Sequence, residues 1–424
     1  LADLGVRPGG DATVALQRAL DSLAARGGGT LRIGGTYRAG VAVVRGSNIT
    51  IEGDGGTLRD TRIVVAPGAR GLTMRNLTLL ETRGRADSYL LDISGSDCRF
   101  DNLSLIKRPM AGGYQGYLRA TSRGCTFDGL RLDGSNGLFV SGSDHTFANF
   151  ELVSTLRRDM GGDDAFAIKA PGTITQNIVI RNGTVRGYAA AVSIGSEVGS
   201  SAEHRGPGIV RNVLVENVVA DRCQMVCFIK PGALVYDWRN GLVENVTLRS
   251  IRLTDPGGFL FARGVAISTG RGAKVRGVTA RDIVIEARAH SQGVMPTAAV
   301  DLGIRNVGAP GSIEDVDIQL TYDGSGSAGY PVDQIVRIEK ENPSVGTMRG
   351  ISLDVTGSDA RIAGIYVGGG LDGAVTVRRA NLRRVALAPP ASLGAAGIWA
   401  DSRVNLGSVA VEAVRAPNRG GRAR

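Results

Sequence analysis

A short segment recurs along the chain: apolar-x-apolar, one turn residue, then apolar-x-apolar. It reads Leu72-Thr-Met-Arg-Asn-Leu-Thr-Leu, Cys98-Arg-Phe-Asp-Asn-Leu-Ser-Leu, Cys125-Thr-Phe-Asp-Gly-Leu-Arg-Leu and His145-Thr-Phe-Ala-Asn-Phe-Glu-Leu. Later copies include Ile178-Val-Ile-Arg-Asn-Gly-Thr-Val, Val213-Leu-Val-Glu-Asn-Val-Val-Ala and Thr347-Met-Arg-Gly-Ile-Ser-Leu. Period-2 alternation means strand. A lone Asn or Gly between two strands makes a corner, because both residues tolerate left-handed backbone angles. Turn residues at Asn76, Asn102, Gly129, Asn149, Asn182, Asn217, Asn245 and Gly350 are spaced irregularly, about 20–35 residues apart in the earlier part. Constant propeller blades do not fit that spacing. An all-β, single-stranded right-handed parallel β-helix of about ten coils does, with loops of variable length interrupting each coil.

Composition agrees. Glycine numbers 62 and aromatic residues only 5%, which suits a turn-rich solenoid. Hydrophobic residues make up 42%, enough for a large core and too many for a disordered chain. No run approaches the roughly 18 apolar residues of a membrane span. Asp11 reads as an N-cap, and Val14, Leu16, Ala19, Leu20 and Leu23 form an apolar stripe that ends at Gly27-Gly28-Gly29. This predicts a helix over 12–25 that covers the open end of the solenoid. One domain is expected over 1–414, followed by a basic, disordered tail over 415–424.

The formal charge is +10, which suits an anionic partner. An acidic polysaccharide is favoured over nucleic acid. Three histidines and no C-x-x-C pair argue against a zinc site, and no motif implies a cofactor. Cys98 with Cys125, and Cys223 with Cys227, are disulfide candidates in an oxidising compartment, with buried thiols as the alternative. The chain begins at Leu1, and a processed leader with secreted or periplasmic location is the expectation.

Three segments about one coil apart concentrate chemistry. They are Gly161-Gly-Asp163-Asp164-Ala-Phe-Ala-Ile-Lys169, Tyr188-Ala-Ala-Ala-Val-Ser-Ile-Gly-Ser-Glu197 and Gln224-Met-Val-Cys-Phe-Ile-Lys230. Stacked on one face, they would bring Asp163 or Asp164, Glu197 and Lys230 into one groove. A carboxylate pair can divide the acid and base roles of glycoside hydrolysis, and a lysine can bind a sugar. Adjacent residues on an extended chain usually point apart, so the pair need not act together unless a bulge occurs there.

These segments resemble the core motifs of pectin-degrading glycoside hydrolases, the polygalacturonase and rhamnogalacturonase family. Asp163-Asp164 matches the paired acids, Ser193-Ile-Gly-Ser196 the strand after the family's G-H-G, and Ile229-Lys230 the end of R-I-K. Residues 1–260 carry the resemblance. It implies a β-helix that cleaves a polysaccharide or oligosaccharide. The pattern departs at three places: Asn136 stands where the third acid belongs, Ala190 replaces the histidine, and Phe228 replaces the arginine. Asp159 is a candidate for the missing carboxylate. Candidate substrate-binding residues are Arg157, Arg158, His204, Lys230, Tyr236 and Trp238, with Tyr114 and Tyr117 from an earlier coil. A lyase or epimerase on the same scaffold, and a non-catalytic glycan-binding protein, are the alternative readings.

Overall fold

The structure is a computed structural model. It describes residues 5–84, 89–108, 113–154, 162–232, 237–255, 264–287, 298–305, 308–325, 332–386 and 397–414. Those residues form one helix and 32 strands, and each strand pairs in parallel with its counterpart one coil away. Three faces run along the solenoid. Face A stacks thirteen strands, from Val41–Val44 through Gly162–Pro171, Tyr188–Gly199 and Met225–Pro231 to Ile398–Ala400. Faces B and C begin as separate short strands such as Arg99–Asp101 and Ser104–Lys107. From Ile174–Arg186 onward they are continuous strands bent at the corner. The rungs exceed the expected ten because many corners carry Asp, as at Asp97, Asp144, Asp282 and Asp315, and so escape an Asn/Gly pattern.

The marked turn residues all have left-handed backbone angles, from Asn102 at φ 50° to Gly129 at φ 72°. They divide into two columns. Asn76, Asn102, Gly129, Asn149, Asn182 and Asn217 stack at the B–C corner. Asn245 and Gly350 lie in the other column, with Asn177 and Asn212. Asn102 Nδ2 donates to Asn76 Oδ1 at 3.2 Å and Asn217 Nδ2 to Asn182 Oδ1 at 3.2 Å. Each amide thereby satisfies its neighbour one rung away.

Inward residues build one core cluster from Ala12 to Ala400. Phe100, Phe127 and Phe147 stack through it, with ring centroids 4.4 and 4.9 Å apart. The cap helix is Thr13–Ala25. Leu16, Leu20 and Leu23 are buried, whereas Val14 is 62% exposed and lies off the expected stripe. Asp11 Oδ1 accepts from Thr13 N at 2.9 Å.

The cysteines correct the sequence expectation, for all four are buried free thiols. Cys98 and Cys125 occupy neighbouring rungs in register. Parallel Cβ atoms on adjacent strands stand about 4.8 Å apart, wider than the roughly 3.8 Å typical of a disulfide. Cys223 Sγ donates to Val185 O at 3.6 Å, and Cys227 sits in the inner column between Val192 and Val265. That pair faces different surroundings. Among the described residues no group of three or more metal-ligating side chains occurs, and no helix is long and apolar enough to cross a membrane. The tail over 415–424 lies outside the described residues.

Candidate active site

The site is built on three successive face-A strands, Gly162–Pro171, Tyr188–Gly199 and Met225–Pro231. Strict alternation would not produce it. Ala165 and Phe166, Ala191 and Val192, and Val226 and Cys227 all belong to the core, so two consecutive residues point inward on each strand. The backbone N–H groups of Val226 and Cys227 share the Gly264 carbonyl, at 2.7 and 3.2 Å. This is a β-bulge repeated over three rungs. It turns Asp164, Ala190 and Met225 outward on one side of the bulge, and Ala167, Ser193 and Phe228 outward on the other.

Asp164 is buried, and its Oδ2 lies 3.5 Å from Lys230 Nζ, two rungs away. Asp163 precedes it at the edge of the strand and keeps an exposed surface. Its carboxyl is held above the ordinary carboxylate value. Desolvation by the groove walls is the first cause and the charge of Asp164 the second, with Lys230 and Lys169 opposing. The bulge lies just after the acid pair, not between its members, where joint action was expected to need it. Yet Asp163 and Asp164 both lie near Lys230 and Tyr114 and feel each other's charge, so they share one site without it.

Lys169 is a member of the site that sequence reasoning did not single out. Its buried ammonium pairs with Glu197. The signal was present, because the strand's alternation places Lys169 on the same face as Ala167. Glu197 therefore enters the groove as half of an ion pair. Tyr114 completes the group. Burial and the nearby Asp164, Asp163 and Glu197 push its phenol far above the usual value. Its ring meets Phe139 edge-on at 5.5 Å, and Phe139 stacks on Tyr117 at 3.9 Å. Asn136 pairs with Tyr114. The Asp163 N–H donates to the Ser135 carbonyl at 3.0 Å, which sets Asn136 beside Asp163; the bulge adds one residue before Leu138 pairs with Phe166. An amide thus occupies the rung where the family pattern would put an acid.

His204 is exposed on the loop beyond Gly199 and packs on Trp238, with ring centroids 5.2 Å apart. Its backbone lies against Gly172, where the strand Gly162–Pro171 has ended, so the pair belongs to the corner and not to the groove floor. Arg157, Arg158, Asp159 and Tyr236 lie outside the described residues.

No family model and no curated protein matches the sequence. Solved structures do match. The Yersinia enterocolitica family 28 exopolygalacturonase is 12% identical, over 96% of this chain and 79% of that one, with a TM-score of 0.54. The endo-xylogalacturonan hydrolase of Aspergillus tubingensis is 15% identical, over 80% of this chain and 95% of that one, with a TM-score of 0.55. A tailspike protein of E. coli bacteriophage HK620, solved in complex with a hexasaccharide, is 14% identical over 89% and 75%, with a TM-score of 0.53. The fold is thus that of a polygalacturonase-like parallel β-helix.

Proposed function

We propose that the protein is a carbohydrate-active enzyme that hydrolyses glycosidic bonds of a polysaccharide or oligosaccharide. One observation carries the reading: two adjacent carboxyls sit in contrasting surroundings. Burial and the charge of Asp164 raise the pKa of Asp163, and Asp164 is ion-paired with Lys230. Such a division assigns the acid and base roles. Asp163 protonates the leaving oxygen, and Asp164 activates water. Lys230 orients Asp164, and Tyr114 lies among the carboxylates as a hydrogen-bond donor to sugar. Asn136, an amide beside Asp163 where the family pattern has an acid, supports a second reading, that of a glycan-binding β-helix without turnover.

Reducing-end release from a glycan library separates the two. Asp163→Asn and Asp164→Asn are nearly isosteric. At least one should lower turnover by about 10²–10⁴-fold while glycan retention persists. Full activity in both variants removes the assignment, and retention without product in the wild type favours the binding reading. Because Asp163 must be protonated to act, activity should fall on the alkaline side as pH rises through its raised pKa.

A further inference from the structure

The outward residues next to Asp164 are apolar. Ala190, Met225 and Ala266 form a small cluster apart from the main core, with Phe228 packed against it. Register places Ala190 beside Asp164, and Met225 beside Ala190. The core on the inner side of these strands is complete without them. Phe228 is only half-buried, so the cluster presents its ring toward the groove.

The charges nearby are already engaged. Lys169 pairs with Glu197, and Lys230 pairs with Asp164 while lying 4.6 Å over the Phe228 ring. Against these two lysines stand Asp163, Asp164 and Glu197. Arg62 and Arg119 share Asp92, three rungs before Ala167 in the same outward column. Among the described residues, then, no unengaged cation faces the apolar cluster. With both lysines paired and no further cation among the described residues, a substrate carboxylate seated against the apolar cluster would be desolvated without a partner, which disfavours it.

We infer that the sugar seated against Met225 and Phe228 is uncharged and presents a methyl group, as a 6-deoxyhexose or an N-acetylated hexosamine does. The inference rests on the reading of this groove as the glycan site. It departs from the expectation drawn from net charge. Many of the arginines behind the +10 form cross-rung ion pairs away from the groove, such as Arg249–Glu216 and Arg276–Glu244.

The test is a glycan array probed with the full chain and with Asp163→Asn, in which bound glycan is not consumed. Four probe classes are needed: oligosaccharides containing 6-deoxyhexose, ones containing N-acetylhexosamine, neutral ones bearing only hydroxyls, and oligogalacturonates. One methyl-bearing class should be retained about tenfold or more above both other kinds, the discrimination available from a methyl in an apolar pocket. Which class it is identifies the source of the methyl. Met225→Gln should erase that preference, and Phe228→Arg should shift retention toward oligogalacturonates. Three results would overturn the inference: preferred retention of oligogalacturonates, an unchanged profile in both variants once circular dichroism shows them folded, or retention of no methyl-bearing probe. A methyl-bearing glycan that is held but never cleaved removes the hydrolase assignment alone and leaves this one standing.

Discussion

His145 is wholly buried, and its ring is enclosed by polar partners. Nε2 lies 3.1 Å from Ser122 Oγ and 3.0 Å from Ser141 O, and Nδ1 accepts from Cys125 N at 3.2 Å. Burial lowers its pKa to about 4, against about 6.5 in an unfolded chain. Above pH 6.5 both states are neutral at this residue and it adds no pH dependence. As pH falls from 6.5 toward 4, the unfolded chain gains a proton that the folded one resists. Stability is lost across that window, by roughly 3 kcal/mol in total. Denaturant unfolding of wild type and His145→Gln between pH 7 and pH 4 should show a shallower decline in the variant. Parallel curves would mean that the folded imidazole is not held neutral. The cysteines give a second residue-level expectation: the unfolded, unreduced protein should titrate four thiols, whereas two or fewer would restore a disulfide. At this scale the sequence showed residue types but not pairings. Asp163 and Asp164 were legible as an acid pair. The Lys169–Glu197 pair was not, since it joins side chains 28 positions apart across a register that shifts between Ile168 and Ala170.

At the level of strands, many corner residues were legible because an Asn or Gly interrupts a period-2 pattern and holds left-handed angles cheaply, whereas the Asp corners were not singled out. Their division into two columns was not, because the same residue types serve both corners. The bulge was equally hidden. Ala-Phe, Ala-Val and Val-Cys are apolar on both residues, so nothing in the letters marks which one breaks alternation. Yet the bulge decides that Asp164 faces outward. Its geometry is held by a close approach at Gly137, where an added Cβ would stand 1.8 Å from the Ala165 carbonyl oxygen. Backbone on both sides leaves little room to yield. Gly137→Ala should therefore push the strand Asn136–Val140 off its neighbour, costing about 1–3 kcal/mol as overpacking does. Because Asp164 adjoins Ala165, glycan retention should fall with it. A variant with an unchanged denaturation midpoint and full retention would show that the two strands are free to separate.

A solenoid of this kind has ends, and the first rung would otherwise offer unpaired strand edges to another chain. The N-terminal segment covers them with side chains as well as with apolar bulk. Gln17 Oε1 accepts from Val43 N at 2.8 Å, and Gln17 Nε2 donates to Val43 O at 3.0 Å, so one amide satisfies both edge groups of that residue. Thr13 Oγ1 accepts from Gly40 N at 2.9 Å, and Ala12 N donates to Arg38 O at 2.7 Å. Beneath them Leu16, Leu20 and Leu23 close the core, each contributing roughly 1.5–3 kcal/mol by burial. The helix was legible from its apolar stripe. So was its role as a cover for the open end; what stayed hidden was that Gln17 and Thr13 satisfy the edge groups, because they read as ordinary polar positions on the far side. Replacing Leu16 and Leu20 together by Asp should undock the helix and leave the first rung exposed, while the rungs behind it keep their own neighbour contacts. The expected signature is concentration-dependent association in size-exclusion chromatography with light scattering, with strand content in far-ultraviolet circular dichroism nearly unchanged. A double variant that elutes as the wild type does at every concentration would mean that the edge is protected by something other than this helix. One that loses its strand signal altogether would mean that the cap holds the whole solenoid, not its first rung.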